Sequence, residues 1–190
     1  MSACSSEADI QLKPLATDAV ILAFGDSLTF GIGANSQTES YPTILAELTG
    51  RQVINSGLPG EISQHGLIRL AEELEETKPD LVILCHGGND LIRKLSQVEL
   101  KSNLESMVSL IKQSGAEVVL VAVPNFSLML KVPPLYSEVA MSLQSPIDNK
   151  TLALIESKRQ FKSDTVHPNA LGYKLLATEI HQLLQASGAL

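Results

Sequence analysis

About five times along the chain, a short and unbroken apolar run alternates with a stretch whose apolar residues recur at helical spacing. Nothing else in the sequence restricts its fold so much. The runs at 20–24, 53–54, 81–84 and 118–123 are rich in Val and Ile and are bounded by Gly, Asn or Pro. Continuous runs of this kind predict strands buried on both faces of a sheet. A weaker fifth strand is expected near Pro146 and Ile147. Between them, Leu67, Leu70, Ala71 and Leu74 fall at i, i+3, i+4 and i+7, with Glu72, Glu73, Glu75 and Glu76 mostly turned to water. Leu104, Met107, Val108 and Ile111 repeat the spacing, and Gly115 follows as a stop. Leu176, Ile180, Leu183 and Leu184 do so again, and residues 42–48 predict a shorter helix. Strand alternating with helix means a parallel sheet with helices on both faces.

Composition narrows the function. A chain of 190 residues supports one domain with a buried core. Its formal net charge of −7, without any run of Lys or Arg, argues against a nucleic-acid partner. No apolar stretch is long enough to predict a membrane span. Two cysteines make neither a disulfide framework nor, alone, a structural zinc site. Residues 1–18 are mostly polar and aperiodic and are read as a tail or leader remnant, with the domain at 19–190. Ser2-Ala3-Cys4-Ser5-Ser6 resembles the end of a lipobox, so a lipid tether at Cys4 and a periplasmic or cell-envelope location are expected, with the cytoplasm as the alternative. The oligomeric state is not legible.

Ligands of an open parallel sheet bind beyond the carboxyl ends of its strands. Four clusters fall at that end: Gly25-Asp26-Ser27-Leu28, then 55–61 with Gly57 and Gly60, then His86-Gly87-Gly88-Asn89-Asp90, then Asp164-Thr165-Val166-His167-Pro168. Ser27 follows a glycine at a tight turn, where a hydroxyl is exposed. It needs a base to act as a nucleophile, and His167, three residues after Asp164, is the best placed. The N–H groups of Ser27 and Gly60 and the Asn89 amide would supply an oxyanion hole. Asp26 is expected to bond turn amides, Asp90 to cap locally, His86 to pack at a strand end, His65 and His181 to be exposed, and Cys85 to be an inert buried thiol. A nucleotide-binding reading fails, because Gly31-Ile32-Gly33 lacks the third glycine and no Walker lysine is present.

These four blocks, in this order, resemble those of the GDSL or SGNH hydrolase family over roughly residues 19 to 186. The stretch 55–70 is most similar to the small bacterial arylesterase, lysophospholipase and thioesterase I type. The resemblance implies a three-layer α/β/α flavodoxin-like fold around a central parallel five-stranded sheet with strand order 2-1-3-4-5. It implies a Ser27–His167–Asp164 triad, an oxyanion hole of Ser27, Gly60 and Asn89, and no metal or organic cofactor. Glu61 stands where the family commonly has Asp. The family's second-block glycine maps to Gly60 rather than Gly57.

The expected activity is therefore a serine esterase acting through an acyl-enzyme on small or medium acyl or aryl esters, lysophospholipids or acyl thioesters. A carbohydrate O-acetylesterase is the alternative within the same chemistry. A non-catalytic ligand-binding module on the same fold is the alternative outside it. Residues 124–135 are unusually apolar for a connection at the rim. Phe126 and Leu128 are read there as acyl-binding residues, against simple packing of Phe126, Leu128 and Leu130 on a neighbouring helix.

Overall fold

The apolar runs become five strands of one sheet: β1 (Val20–Gly25), β2 (Gln52–Gly57), β3 (Leu81–Cys85), β4 (Glu117–Val121) and β5 (Ile147–Asp148). Their order is β2-β1-β3-β4-β5, and every pairing is parallel. The computed structural model describes residues 10–126 and 130–190. β3 is buried at every position and β1 at every position but its first, as unbroken apolar runs require. β2 departs from that expectation. It is an edge strand, with Val53 and Ile54 only half-buried and Gln52 and Asn55 exposed.

The helices are α1 (Ser27–Phe30), α2 (Tyr41–Thr49), α3 (Ser63–Thr77), α4 (Gly88–Ile92), α5 (Gln97–Gln113), α6 (Leu135–Ser142), α7 (Thr151–Ser157) and α8 (Ala170–Ala186). α2 packs on α8, and α3 on α5, giving the two outer layers. Helical spacing identified α2, α3, α5 and α8. It missed α6 and α7, whose seven or eight residues are too short for a full apolar repeat. On α3, Leu70 and Leu74 enter the core, but Ala71, read as part of the same stripe, is exposed. The stripe is thus narrower than the i, i+3, i+4, i+7 pattern suggests.

The polar segment before β1 is not loose where it is described. Leu12 is buried, its N–H donates to the Ser187 carbonyl at 2.8 Å, and the Leu15 N–H donates to Ala189 at 2.8 Å. Arg51 adds bonds to the carbonyls of Leu15 and Ala16. Residues 10–18 are therefore laid along the end of α8. Their polarity hid two anchoring leucines. Cys4 lies outside the described residues.

The order of strand addition reverses between β1 and β3, which puts the topological switch point beside their carboxyl ends. The turn after β1, the turn into α4 and the loop before α8 all meet there.

Candidate active site

Asp26 builds the first turn. It is buried, and its Oδ1 accepts the Leu28 N–H at 3.0 Å, capping α1. Ser27 thereby stands at the first position of α1 with its side chain toward the rim. Burial pushes the Asp26 carboxyl above its ordinary range, against the lowering influence of His86, the Leu28 N–H and His167.

The loop before α8 brings the base. Asp164 Oδ1 accepts the N–H groups of Val166 and His167, both at 2.8 Å, which folds residues 164–167 into a tight turn. Asp164 Oδ2 lies 2.8 Å from His167 Nδ1, and His167 Nε2 lies 3.1 Å from Ser27 Oγ. Slight burial pushes the Asp164 carboxyl up, but its bonds from Val166 and His167 outweigh this and hold it below the ordinary range. With an ionised Asp164 on Nδ1, that nitrogen carries the proton, leaving Nε2 to accept from Ser27. Lys162 pairs with Pro168 in an antiparallel bridge, and the Ser163 N–H donates to the His167 carbonyl at 3.0 Å, closing the base of the loop. Tyr173, in α8, donates to the Ile32 carbonyl at 2.7 Å and so ties the helix after His167 to the chain after Ser27.

Asn89 arrives on α4, directly beyond β3. Its amide donates to Asp26 Oδ2 at 3.2 Å and to the Glu61 carbonyl at 3.0 Å. Gly60 forms an exposed turn at φ +83°, which suits glycine. Among the described residues nothing accepts the N–H of Gly60 or of Ser27. Gly57 differs: its N–H donates to Asn55 Oδ1 at 3.0 Å, and the residue is pressed against α1.

Ser27, His167, Asn89, Asp26, Phe126, Ile92 and Val166 line one small cleft. It shares Ile92, Phe126 and Val166 with a neighbouring groove of about 740 Å³, walled also by Leu91, Leu95, Lys94, Gln97, Asn125 and Thr165. Phe126 is half-buried at the junction. Leu128 lies outside the described residues.

Two expectations for other polar residues change, and a third holds with an added partner. Asp90 is not a local cap: it accepts from the Ser63 N–H at 2.8 Å and the Ser63 hydroxyl at 2.6 Å, and so caps α3. His181 is half-buried rather than exposed. His86 does pack at its strand end, fully buried, but it also lies 3.1 Å from Glu61 Oε2. Glu61 in turn pairs with Arg69, a residue that went unnoticed because it stands on the polar face of an acidic helix. Its position eight residues after Glu61 was the available signal. Cys85 is buried, and burial pushes its thiol well above the ordinary range, in keeping with an inert role. No cluster of His, Cys, Asp and Glu suited to a metal occurs among the described residues.

A sequence profile described as the GDSL-like Lipase/Acylhydrolase family matches residues 23–175. An arylesterase of Vibrio mimicus is 36% identical over 123 residues, covering 62% of this chain and 58% of that protein. Esterase TesA of Pseudomonas aeruginosa is 31% identical over 124 residues, covering 62% of each chain. The match therefore spans less than two thirds of either relative's length. In fold, the chain is similar to the crystal structure of TesA, with a TM-score of 0.78 at 24% identity, covering 87% of this chain and 98% of that one.

Proposed function

The chain belongs to the GDSL-like lipase/acylhydrolase family, and on that premise we propose that it is a serine esterase of carboxylic acyl esters. The observation that carries this reading is the line from Ser27 Oγ to His167 Nε2, 3.1 Å, and from Nδ1 to Asp164, 2.8 Å. In the proposed reaction His167 takes the Ser27 proton as Oγ bonds to the acyl carbon. Asp164 keeps the imidazole in the tautomer that can accept and stabilises the imidazolium that forms. The oxyanion meets the N–H groups of Ser27 and Gly60, whose hydrogens have no competing acceptor among the described residues. The Asn89 amide is the third donor and must share or exchange one of its two present bonds to do so. His167 returns the proton to the leaving alkoxide or thiolate. Water, activated by the same base, then releases the acid from Ser27.

The substrate proposed is an ester or thioester whose acyl chain is longer than acetyl. The apolar walls of Leu91, Ile92, Leu95, Phe126 and Val166, in a groove continuous with the serine cleft, support this over a carbohydrate O-acetylesterase. Two measurements test the reading. A fluorophosphonate should label the protein at Ser27, and rates should rise along a series of aryl esters from acetyl toward octanoyl. A folded protein that takes no label would instead be a ligand-binding module. Fastest turnover on acetylated sugars would select the O-acetylesterase.

A further inference from the structure

We infer that Arg69, Glu61 and His86 are positioning residues that hold the three proposed oxyanion donors in register, by joining the ends of β1, β2 and β3 through one buried carboxylate. The inference rests on the reading of Ser27 as the nucleophile.

The network starts at Glu61, the residue after Gly60. Its side chain is almost wholly buried. Arg69 reaches it from α3 in a two-point grip, Nε to Oε1 at 2.9 Å and the terminal nitrogen to Oε2 at 2.7 Å. The same guanidinium donates to the Gly25 carbonyl at 3.3 Å, two residues before Ser27, and to the Ser56 carbonyl at 3.3 Å and the Ser56 hydroxyl. It lies 4.1 Å over the Phe24 ring of β1. One side chain thus touches the ends of two neighbouring strands and the turn that carries Gly60.

His86 completes the third side. The Gly87 N–H donates to its Nδ1 at 2.9 Å, so Nε2 carries the hydrogen that it gives to Glu61 Oε2 at 3.1 Å. Gly87 opens the turn into α4, which presents Asn89. The backbone of Glu61 closes the circuit, because its carbonyl accepts the Asn89 amide. Each donor is therefore within three residues of a network member or of its bonding partner: Gly60 beside Glu61, Asn89 after His86, and Ser27 after Gly25, whose carbonyl Arg69 holds.

Charge fits this role. Burial alone would raise the Glu61 carboxyl, but the hydrogen bonds of Arg69 and then His86 outweigh it and hold the group at about 2. It stays ionised wherever the enzyme would be assayed, and its grip does not vary with pH there. A planar guanidinium on a carboxylate also fixes direction, as an ammonium would not. Glu73 pairs with the outer side of Arg69 at 3.1 Å and so adds to the guanidinium's attachment on α3.

None of these residues reaches the cleft lined by Ser27 and His167. Their effect must pass through the donors they place. Displacing such groups by about 1 Å is enough for a rate loss of roughly 10²-fold. The test is steady-state kinetics on Glu61→Gln and Arg69→Ala in the full chain. Fluorophosphonate labelling, run to completion, counts the competent serines in each sample. The expected result is a kcat per labelled site lowered about 10- to 100-fold, with KM for an aryl acetate little changed. Added guanidinium ion, well below denaturing concentrations, should restore kcat in Arg69→Ala and not in Glu61→Gln. Glu61→Gln keeps the side chain's shape and carries the comparison should Arg69→Ala not fold. A wild-type kcat per labelled site, with the whole loss explained by fewer labelled molecules or a lower Tm, overturns the inference. Wild-type protein that takes no label, or Ser27→Ala with full turnover, overturns the nucleophile reading instead.

Discussion

Asp26 and Asn89 are 63 positions apart in the chain, yet the Asn89 amide donates to the Asp26 carboxylate at 3.2 Å beneath the rim of the sheet. The other oxygen of Asp26 caps the helix that starts at Ser27. One buried acid thus sets the proposed nucleophile and a proposed oxyanion donor relative to each other.

Ser27→Ala should lose ester turnover by several orders of magnitude and keep its fold. The hydroxyl faces a cleft rather than the core, so little packing goes with it. Circular dichroism and urea unfolding check the fold, and initial rates on an aryl ester check the loss. Turnover close to wild type would eliminate a serine mechanism.

Asn89→Ala should lower kcat by about 10² to 10³, the usual effect of deleting one oxyanion donor. KM should change little, because the charge it meets develops only in the transition state. A change confined to KM would make Asn89 a substrate-binding residue. Part of the loss would reflect the unpartnered Asp26 oxygen, so Asn89→Asp, which adds a like charge there, should be worse.

Phe126→Ala should penalise long acyl chains. Each methylene left uncovered forfeits about 0.8 kcal/mol, or about fourfold in specificity constant. The quantity to compare is the ratio of kcat/KM for octanoyl and acetyl aryl esters. An unchanged ratio would place the acyl chain outside the groove shared by Phe126, Ile92 and Val166.

Stability should fall in acid partly through Glu61. Its carboxyl is held at about 2 in the folded chain, against 4.5 for the free group. A depressed acid stabilises fully above its unfolded value, and that contribution fades as pH drops from about 4.5 toward about 2. The stability gap between wild type and Glu61→Gln, measured by urea unfolding across this window, should therefore narrow with falling pH. A gap independent of pH would mean that folding leaves the Glu61 carboxyl at its free value, and a gap that shifted the opposite way would mean that it is protonated in the folded state.

Gly66→Ala should destabilise the protein by about 1–3 kcal/mol, the usual cost of overpacking. A Cβ there would stand 2.3 Å from His86 Nε2, the atom that faces Glu61. Thermal melting gives the shift directly. A wild-type Tm would mean that the His86 ring can move aside without cost.

The centre of the sheet was legible because β1, β3 and β4 are buried, and burial leaves unbroken runs such as 81–84. The order of blocks placed Ser27, Asn89, Asp164 and His167 at one rim, and the folded chain brings Ser27, His167 and Asp164 within hydrogen-bonding distance. What could not be read depends on partners distant in sequence. Asp90 looks like a cap for its own short helix until Ser63 is seen beside it. Arg69 looks like one more solvated charge on α3 until Gly25, Ser56 and Glu61 surround it. α6 and α7 are too brief to show a period, and Leu12 and Leu15 are two isolated apolar anchors in a polar context.

The pairing of Leu12 with Ser187 and of Leu15 with Ala189 has a mechanical meaning. α8 starts beside His167 and runs 17 residues away from it, about 25 Å at helical rise. The first described residues are pinned to its far end. Both ends of the described chain therefore leave from the pole opposite Ser27. Whatever is joined to either end, whether a surface, a carrier domain or an affinity handle, would hold the molecule by its base and leave the cleft facing outward. Immobilisation through residue 190 should cost less in access to the cleft than attachment through Lys94, which lines the groove itself.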